Sequence, residues 1–153
     1  MPITISTFLK PWYRILDLAR QTPLSWHLSR LEEEKAELTE PKSALEKLSE
    51  ESDVFFTIGR ATHDGYTIDE QPPFTKSLHH ALVYAYMFWK YSSRCVFYQT
   101  AAILCRAEKW SVREVVNPAR DGKIRVVAER HGICPEEFLK VCRRLRWVWP
   151  LLP

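Results

Sequence analysis

Apolar residues recur at helical spacing over much of the chain. The spacing of Phe8, Trp12 and Ile15 predicts a first amphipathic helix. A second helix is predicted over 23–40. Pro23 suits its first position, Pro41 follows its end, and apolar residues recur on one side between them. A third, short helix is predicted over 42–49.

The middle of the chain has a different pattern. The β-branched and aromatic run 54–58 predicts one short buried strand. The stretch 59–75 contains Asp64-Gly65 and Pro72-Pro73 among polar residues, which predicts a long irregular loop. A loop of that length in a compact domain is usually functional or disordered, so it is the first place to look for a site.

The second half of the chain is again helical in pattern. Ser77 is expected to cap a strongly apolar helix that runs to about Tyr91. The block 92–106 fits either a helix or a strand, with the helix favoured. Three short helices are predicted after it, over 111–117, 118–131 and 135–147.

These elements predict a mostly α protein. The chain has 153 residues and 46% hydrophobic residues, which suits a single compact helical domain over 1–153 with at most a small β element around 54–58. Only four glycines occur, and neither glycine-rich phosphate-binding motif is present. The parts of the domain are an acidic helical segment, a strand with a polar loop, and a basic helical segment, over 1–50, 51–76 and 77–153.

The net charge of +3 is unevenly distributed. Residues 1–77 carry a charge of −4 and residues 78–153 a charge of +7. Arginines outnumber lysines by nine to four in the basic part, and the planar guanidinium suits phosphates. This asymmetry indicates a polyanionic partner, unless the two halves simply neutralise each other in the fold.

The four cysteines show no CxxC pair and no zinc-type spacing, so neither a metal nor a cofactor is expected. The longest uncharged run, 77–89, has thirteen residues, fewer than the roughly 20 that span a bilayer. The first twenty residues lack the apolar core of a secretory signal. We therefore expect a cytoplasmic protein without a membrane partner, whose oligomeric state the sequence does not determine.

The predicted loop brings an acid, a base and a cation within eleven residues. His63 can act as a general base near neutral pH, and Asp64 or Glu70 can orient it or bind a cationic substrate group. The alternative is a solvated polar loop with a turn at Asp64-Gly65. The candidate catalytic residues are Arg60, His63, Asp64 and Glu114, and the candidate substrate-binding residues are Tyr66, Asp69, Glu70 and Arg113.

Arg113 and Glu114 join these candidates because they are predicted at the edge of a buried helical side. If they face the loop, Arg113 can pair with Asp64 or Glu70, and Glu114 can supply a carboxylate beside His63. If that helix is only structural, both are surface residues.

Residues 128–145 have the spacing of a helix-turn-helix, with Gly132 at the turn and Phe138 and Val141 as inward positions. Any two helices that pack through a glycine turn give this spacing, and Glu136-Glu137 would face phosphates unfavourably. The last helix also holds the densest basic cluster, although cations there also complement the helix dipole. The candidate nucleic-acid-binding residues are Lys140, Arg143, Arg144 and Arg146.

Three stretches carry a family resemblance: LSEESDVFF (48–56), VREVVNP (112–118) and VWPLLP (148–153). They resemble small fungal proteins, close to the fungal arginine-containing cyclodipeptide synthases, from about Ser25 to the end of the chain. The resemblance implies a transferase that takes aminoacyl groups from charged tRNA and joins arginine to a second amino acid. The bacterial synthases use a serine nucleophile after their first strand, whereas this chain has Gly59-Arg60 in that region.

The resemblance implies that an acidic side chain of the loop holds the arginine substrate and that the basic half binds charged tRNA. Two other functions fit the sequence. One is a non-enzymatic nucleic-acid-binding module built on the last two helices. The other is an ADP-ribosyltransferase-like enzyme, suggested by Arg60 at a strand end and by 74–77 before a helix.

Overall fold

The computed structural model describes residues 5–40, 42–69, 77–109 and 111–149. Within these ranges the chain forms six α-helices and no strand, which confirms the prediction of a mostly α protein. The helices are α1 (Ile5–Leu16), α2 (Leu24–Thr39), α3 (Ala44–His63), α4 (Leu78–Leu104), α5 (Asp121–Arg130) and α6 (Pro135–Val148).

The chain divides into two compact units, 1–89 and 90–153, and the division falls inside α4. In the first unit α2 packs on α3, and Leu31 lies against Val54 and Ile58. In the second unit the last part of α4 shares a core with α5 and α6. The helix predicted to end at about Tyr91 and the block that follows it are one helix, so the preference for helix there is confirmed.

The predicted strand at 54–58 is wrong, because these residues lie in the middle of α3. All five of them are buried, and a helix that is covered on several sides gives the same continuous apolar run as a central strand. α3 begins with a capping box in which Ser43 Oγ accepts from the Glu46 amide and Glu46 Oε2 accepts from the Ser43 amide. The helix predicted over 42–49 therefore continues to His63.

Gly59 allows α1 to approach α3 closely. A Cβ at this position would lie 2.6 Å from Tyr13 Oη, in the space that the tyrosine ring occupies. The Tyr13 side chain is 1% exposed, and its hydroxyl donates to the Phe56 carbonyl at 2.6 Å. A glycine in the middle of a helix is therefore required here by packing.

The predicted helix over 111–117 is wrong, because residues 111–120 are irregular and α5 starts only at Asp121. Long side chains from the neighbouring helices bind the backbone of this segment. Arg94 of α4 donates to the Val115 carbonyl at 3.3 Å, and Tyr98 of α4 donates to the Val116 carbonyl at 3.0 Å. Arg146 of α6 donates to the carbonyls of Pro118 and Ala119 at 3.1 and 2.9 Å.

Candidate nucleic-acid interface

Helices α5 and α6 pack together through a four-residue turn. Gly132 in that turn has a φ of +66°, and the Ile133 amide donates to the Ala128 carbonyl at 2.9 Å. Ala128 and Phe138 are fully buried in the core of the second unit, and Val141 packs against it. These positions match the helix-turn-helix spacing expected from the sequence, so the predicted pair of helices is confirmed.

The pair carries a cleft of about 470 Å³. Four of the six residues that line it are cationic, and five of the six come from α6. Leu139, which is only 3% exposed, is its one apolar residue. The lining residues are Arg125, Glu136, Leu139, Lys140, Arg143 and Arg144. We call this cleft the basic groove.

An acid lies among the cations of the basic groove. Arg125 of α5 holds both carboxylate oxygens of Glu136 through its two terminal nitrogens. The hydrogen bond between the two side chains lowers the pKa of Glu136 and raises the pKa of Arg125. Glu136 is thus ionised, and Arg125 compensates the charge of this one of the two acids that were expected to face phosphates unfavourably.

Two of the predicted phosphate-binding arginines are engaged with Asp121. Arg143 donates to Asp121 Oδ2 at 2.6 Å, and Arg146 donates to Asp121 Oδ1 at 3.0 Å. The hydrogen bond from Arg143 is the main cause of the lowered pKa of Asp121. Arg146 also binds two carbonyls of the irregular segment and does not line the basic groove. Its described contacts therefore fasten α6 to the chain before α5.

Lys140 and Arg144 differ from these arginines. They lie four residues apart on α6, so they share one side of the helix, and both are exposed. Neither side chain has a hydrogen bond or an ion pair with any residue in the part of the chain that the structure describes. Both cations are consequently available to an external anion.

The chain was compared with protein-family models, with curated proteins and with solved structures. No match was found. Among the described helices, none is long and apolar enough to cross a membrane.

The predicted catalytic residues of the first unit lie at the end of α3. Arg60 and His63 are in its last turn rather than in a loop, and Asp64 is its C-cap. His63 is exposed, with its ring stacked on Tyr13 at 5.3 Å. The aromatic stacking gives His63 a structural contact, and its catalytic role stays a prediction.

The Asp64 carboxylate is already occupied by the protein. It is 4% exposed, and its Oδ2 accepts from the Gln21 amide at 3.1 Å. The same oxygen lies 3.4 Å from His27 Nε2 and 3.8 Å from Arg60 Nε. Arg20 donates to the Asp64 backbone carbonyl at 3.0 Å. These contacts fasten the connection between α1 and α2 to the end of α3.

The remaining predicted site residues are distributed over both units. Tyr66 packs against the His27 ring and lies beneath the Arg20 guanidinium, whereas Asp69 is exposed. Glu70 lies outside the described residues. Glu114 pairs with Arg130 at 2.8 Å inside the second unit, to which the exposed Arg113 also belongs. Their predicted role beside His63, a residue of the first unit, stays a prediction.

Two buried polar residues of α2 were missed by the sequence reasoning. His27 is 1% exposed, and its Nε2 lies 3.0 Å from the Gln21 carbonyl. Glu34, which lies in the acidic helical segment, is 3% exposed and lies close to Glu50 and Asp53 of α3. One carboxylate oxygen from each of these three acids lies within 4.8 Å of the other two. Burial raises the pKa of Glu34 from 4.5 to about 7.

Proposed function

We propose that the second unit binds duplex DNA, with α6 as the helix that enters the major groove. The observation that carries this proposal is the basic groove on the α5–α6 pair, in which Lys140 and Arg144 have no partner among the described residues. Both cations are exposed on one side of α6, and α6 has the position of the second helix in a helix-turn-helix. Cations in that position are well placed to contact phosphates.

The dimensions of nucleic acids favour duplex DNA over RNA as the partner. An α-helix with its side chains is about 10–12 Å across, and the major groove of B-form DNA is about 12 Å wide. The major groove of A-form RNA is deep and narrow, so side chains of an inserted helix do not read it. Charged tRNA, the partner that the family resemblance implies, is therefore the competing outcome of the test.

The charge of residues 78–153 supports the same proposal. They carry +7, and beside the arginines that bind Asp121 and Glu136 lie Lys140 and Arg144, which pair with no acid among the residues that the structure describes. Neutralisation of each phosphate by a cation releases counterions, which lowers the slope of log affinity against log salt by about 0.9. Lys140 and Arg144 are each expected to contribute about that much.

The test measures binding of the full chain to a fluorescent duplex of about 20 base pairs and, separately, to charged tRNA, over a range of salt concentrations. Replacing both Lys140 and Arg144 by alanine is expected to weaken binding and to flatten the salt slope by up to about two. Lys123→Ala is the matched control, because Lys123 is an exposed cation of α5 that does not line the basic groove.

Three results would contradict the proposal. One is the absence of duplex binding even at low salt. Another is an equal loss per removed cation in the Lys123 control, which would assign the binding to general surface charge. The third is tighter binding to charged tRNA than to the duplex, which would favour the alternative implied by the family resemblance.

Aminoacyl transfer from charged tRNA stays a prediction. Of the acids expected to hold an arginine substrate, Asp64 is engaged within the first unit, Asp69 is exposed, and Glu70 lies outside the described residues. The ADP-ribosyltransferase alternative requires a strand that ends at Arg60, whereas that residue is helical, and its second feature, the stretch 74–77, lies mostly outside the described residues. Binding of DNA is the function that the described geometry supports best.

A further inference from the structure

We infer that Glu136 is the base-reading residue of the basic groove and that it selects a C·G pair by accepting a hydrogen bond from the cytosine amino group. This inference rests on the proposed binding of duplex DNA. It concerns specificity, whereas the proposed function concerns binding itself.

The place of Glu136 in the fold is the first reason. It is the second residue of α6, and its side chain is 74% exposed within the basic groove. In helix-turn-helix proteins the N-terminal part of the second helix approaches the base edges, whereas cations farther along contact the backbone. Lys140 and Arg144 lie one and two turns farther along α6. This order suits a base reader at Glu136 and phosphate contacts after it.

The chemistry of the carboxylate is the second reason. An ionised carboxylate is repelled by phosphates, so a favourable contact in the groove must be made with a hydrogen-bond donor of a base. In the major groove guanine offers two acceptors, and thymine offers an acceptor and a methyl group. Adenine places its amino donor beside the N7 acceptor, whereas cytosine offers its amino group as a donor. Cytosine is therefore the base that a carboxylate prefers.

The contact with Arg125 is the third reason. Arg125 holds both carboxylate oxygens, which fixes the orientation of Glu136 and leaves further lone pairs for a base. Such an exposed ion pair contributes little to folding, so stability alone is a weak reason for an acid among these cations. We assign Arg125 as a positioning residue for Glu136.

The experiment selects bound duplexes from a pool with a randomised core, using the full chain, and sequences them. The wild type is expected to enrich a C·G pair at one position by about 5- to 100-fold over the other pairs. Glu136→Gln is expected to change that preference to A·T, because a glutamine amide pairs with both N6 and N7 of adenine. The neighbouring exposed acid gives the control Glu137→Gln, which removes the same charge and should keep the preference for cytosine.

Arg125→Lys tests the positioning role, because it keeps the charge and loses the two-point contact. We expect the preference for cytosine to fall several-fold, and to fall by a larger factor than the affinity for the unselected pool. If duplexes are retained but Glu136→Gln enriches the same sequences as the wild type, the inference is wrong and the proposed function stands. The same holds if the wild type enriches no sequence. If no duplex is retained, both are wrong.

Discussion

Replacement of Glu34 by glutamine is expected to stabilise the protein above pH 7 and to have little effect near pH 4.5. Glu34 is 3% exposed between α2 and α3, and its pKa is raised to about 7 by burial first and by the nearby Asp53 second. The unfolded chain loses this proton near pH 4.5, whereas the folded chain keeps it until about pH 7. The folded state therefore loses stability relative to the unfolded state as the pH rises through this window.

The size of the effect follows from the two pKa values. The difference between pKa values of 4.5 and about 7 corresponds to about 3 kcal/mol, which is an upper bound. Arg30 contacts Glu34 Oε1 at 2.5 Å, and its side chain is 47% exposed, so water reaches the edge of this site. Allowing for solvent screening, we expect Glu34→Gln to gain about 2 kcal/mol at pH 8. The amide keeps the size of the side chain and an acceptor for Arg30.

Urea titration followed by circular dichroism at pH 4.5, 6 and 8 measures this difference in the free energy of unfolding. The control is Glu33→Gln, an acid that also pairs with Arg30 but is 58% exposed, and it should change stability by less than about 0.5 kcal/mol at each pH. A variant at Glu34 that is no more stable than the wild type at pH 8 would refute the reasoning. So would a gain of the same size at all three pH values.

Three further predictions concern packing, the irregular segment and catalysis. Gly59→Ala is expected to cost about 1–3 kcal/mol in urea titration, because the new methyl group meets Tyr13 at 2.6 Å, whereas Gly122→Ala, with open space around it, should not destabilise. Arg146→Ala is expected to cost about 1–3 kcal/mol in the same assay, because two backbone carbonyls lose this donor and Asp121 keeps only the donor from Arg143. Incubation with charged tRNA pools, followed by mass spectrometry, tests aminoacyl transfer. An arginine-containing cyclic dipeptide that is lost in His63→Gln would support it, and the absence of such a product from every pool would contradict it.

Local sequence patterns predicted the helix boundaries closely where a helix has one buried side or clear end signals. The structure places α2 over Leu24–Thr39 and α6 over Pro135–Val148, close to the ranges 23–40 and 135–147 that the sequence predicts. The strand predicted at 54–58 was wrong because every residue in this run is buried, so the apolar residues do not show the 3.6-residue spacing of a half-exposed helix. The helix predicted over 111–117 was wrong for another reason. Side chains of α4 and α6, distant in the sequence, donate hydrogen bonds to backbone carbonyls of the irregular segment.

The candidate site was predictable only in part. Lys140 and Arg144 were found because clustered cations on one helix are visible in the sequence. The pairing of Arg125 with Glu136 was not, because it joins two helices across a turn whose geometry only the fold provides. His27 and Glu34 did leave a signal. They continue the three- and four-residue spacing of Leu24, Leu31 and Leu38, which is the side of α2 that faces α3.

The irregular segment 111–120 has an architectural consequence. Its carbonyls accept hydrogen bonds from side chains up to 28 residues away in the sequence. Arg94 and Tyr98 come before the segment in the chain, and Arg146 comes after it. The side chains of its neighbours thus set the conformation of this loop. Its exposed residues, such as Ser111 and Ala119, can vary while those three anchors stay, whereas the buried Val112 and Val115 cannot vary freely. Added or deleted residues would shift the carbonyls out of reach of their donors. The segment is therefore a poor place for a tag or a cleavage site, although by secondary structure alone it would be the first choice.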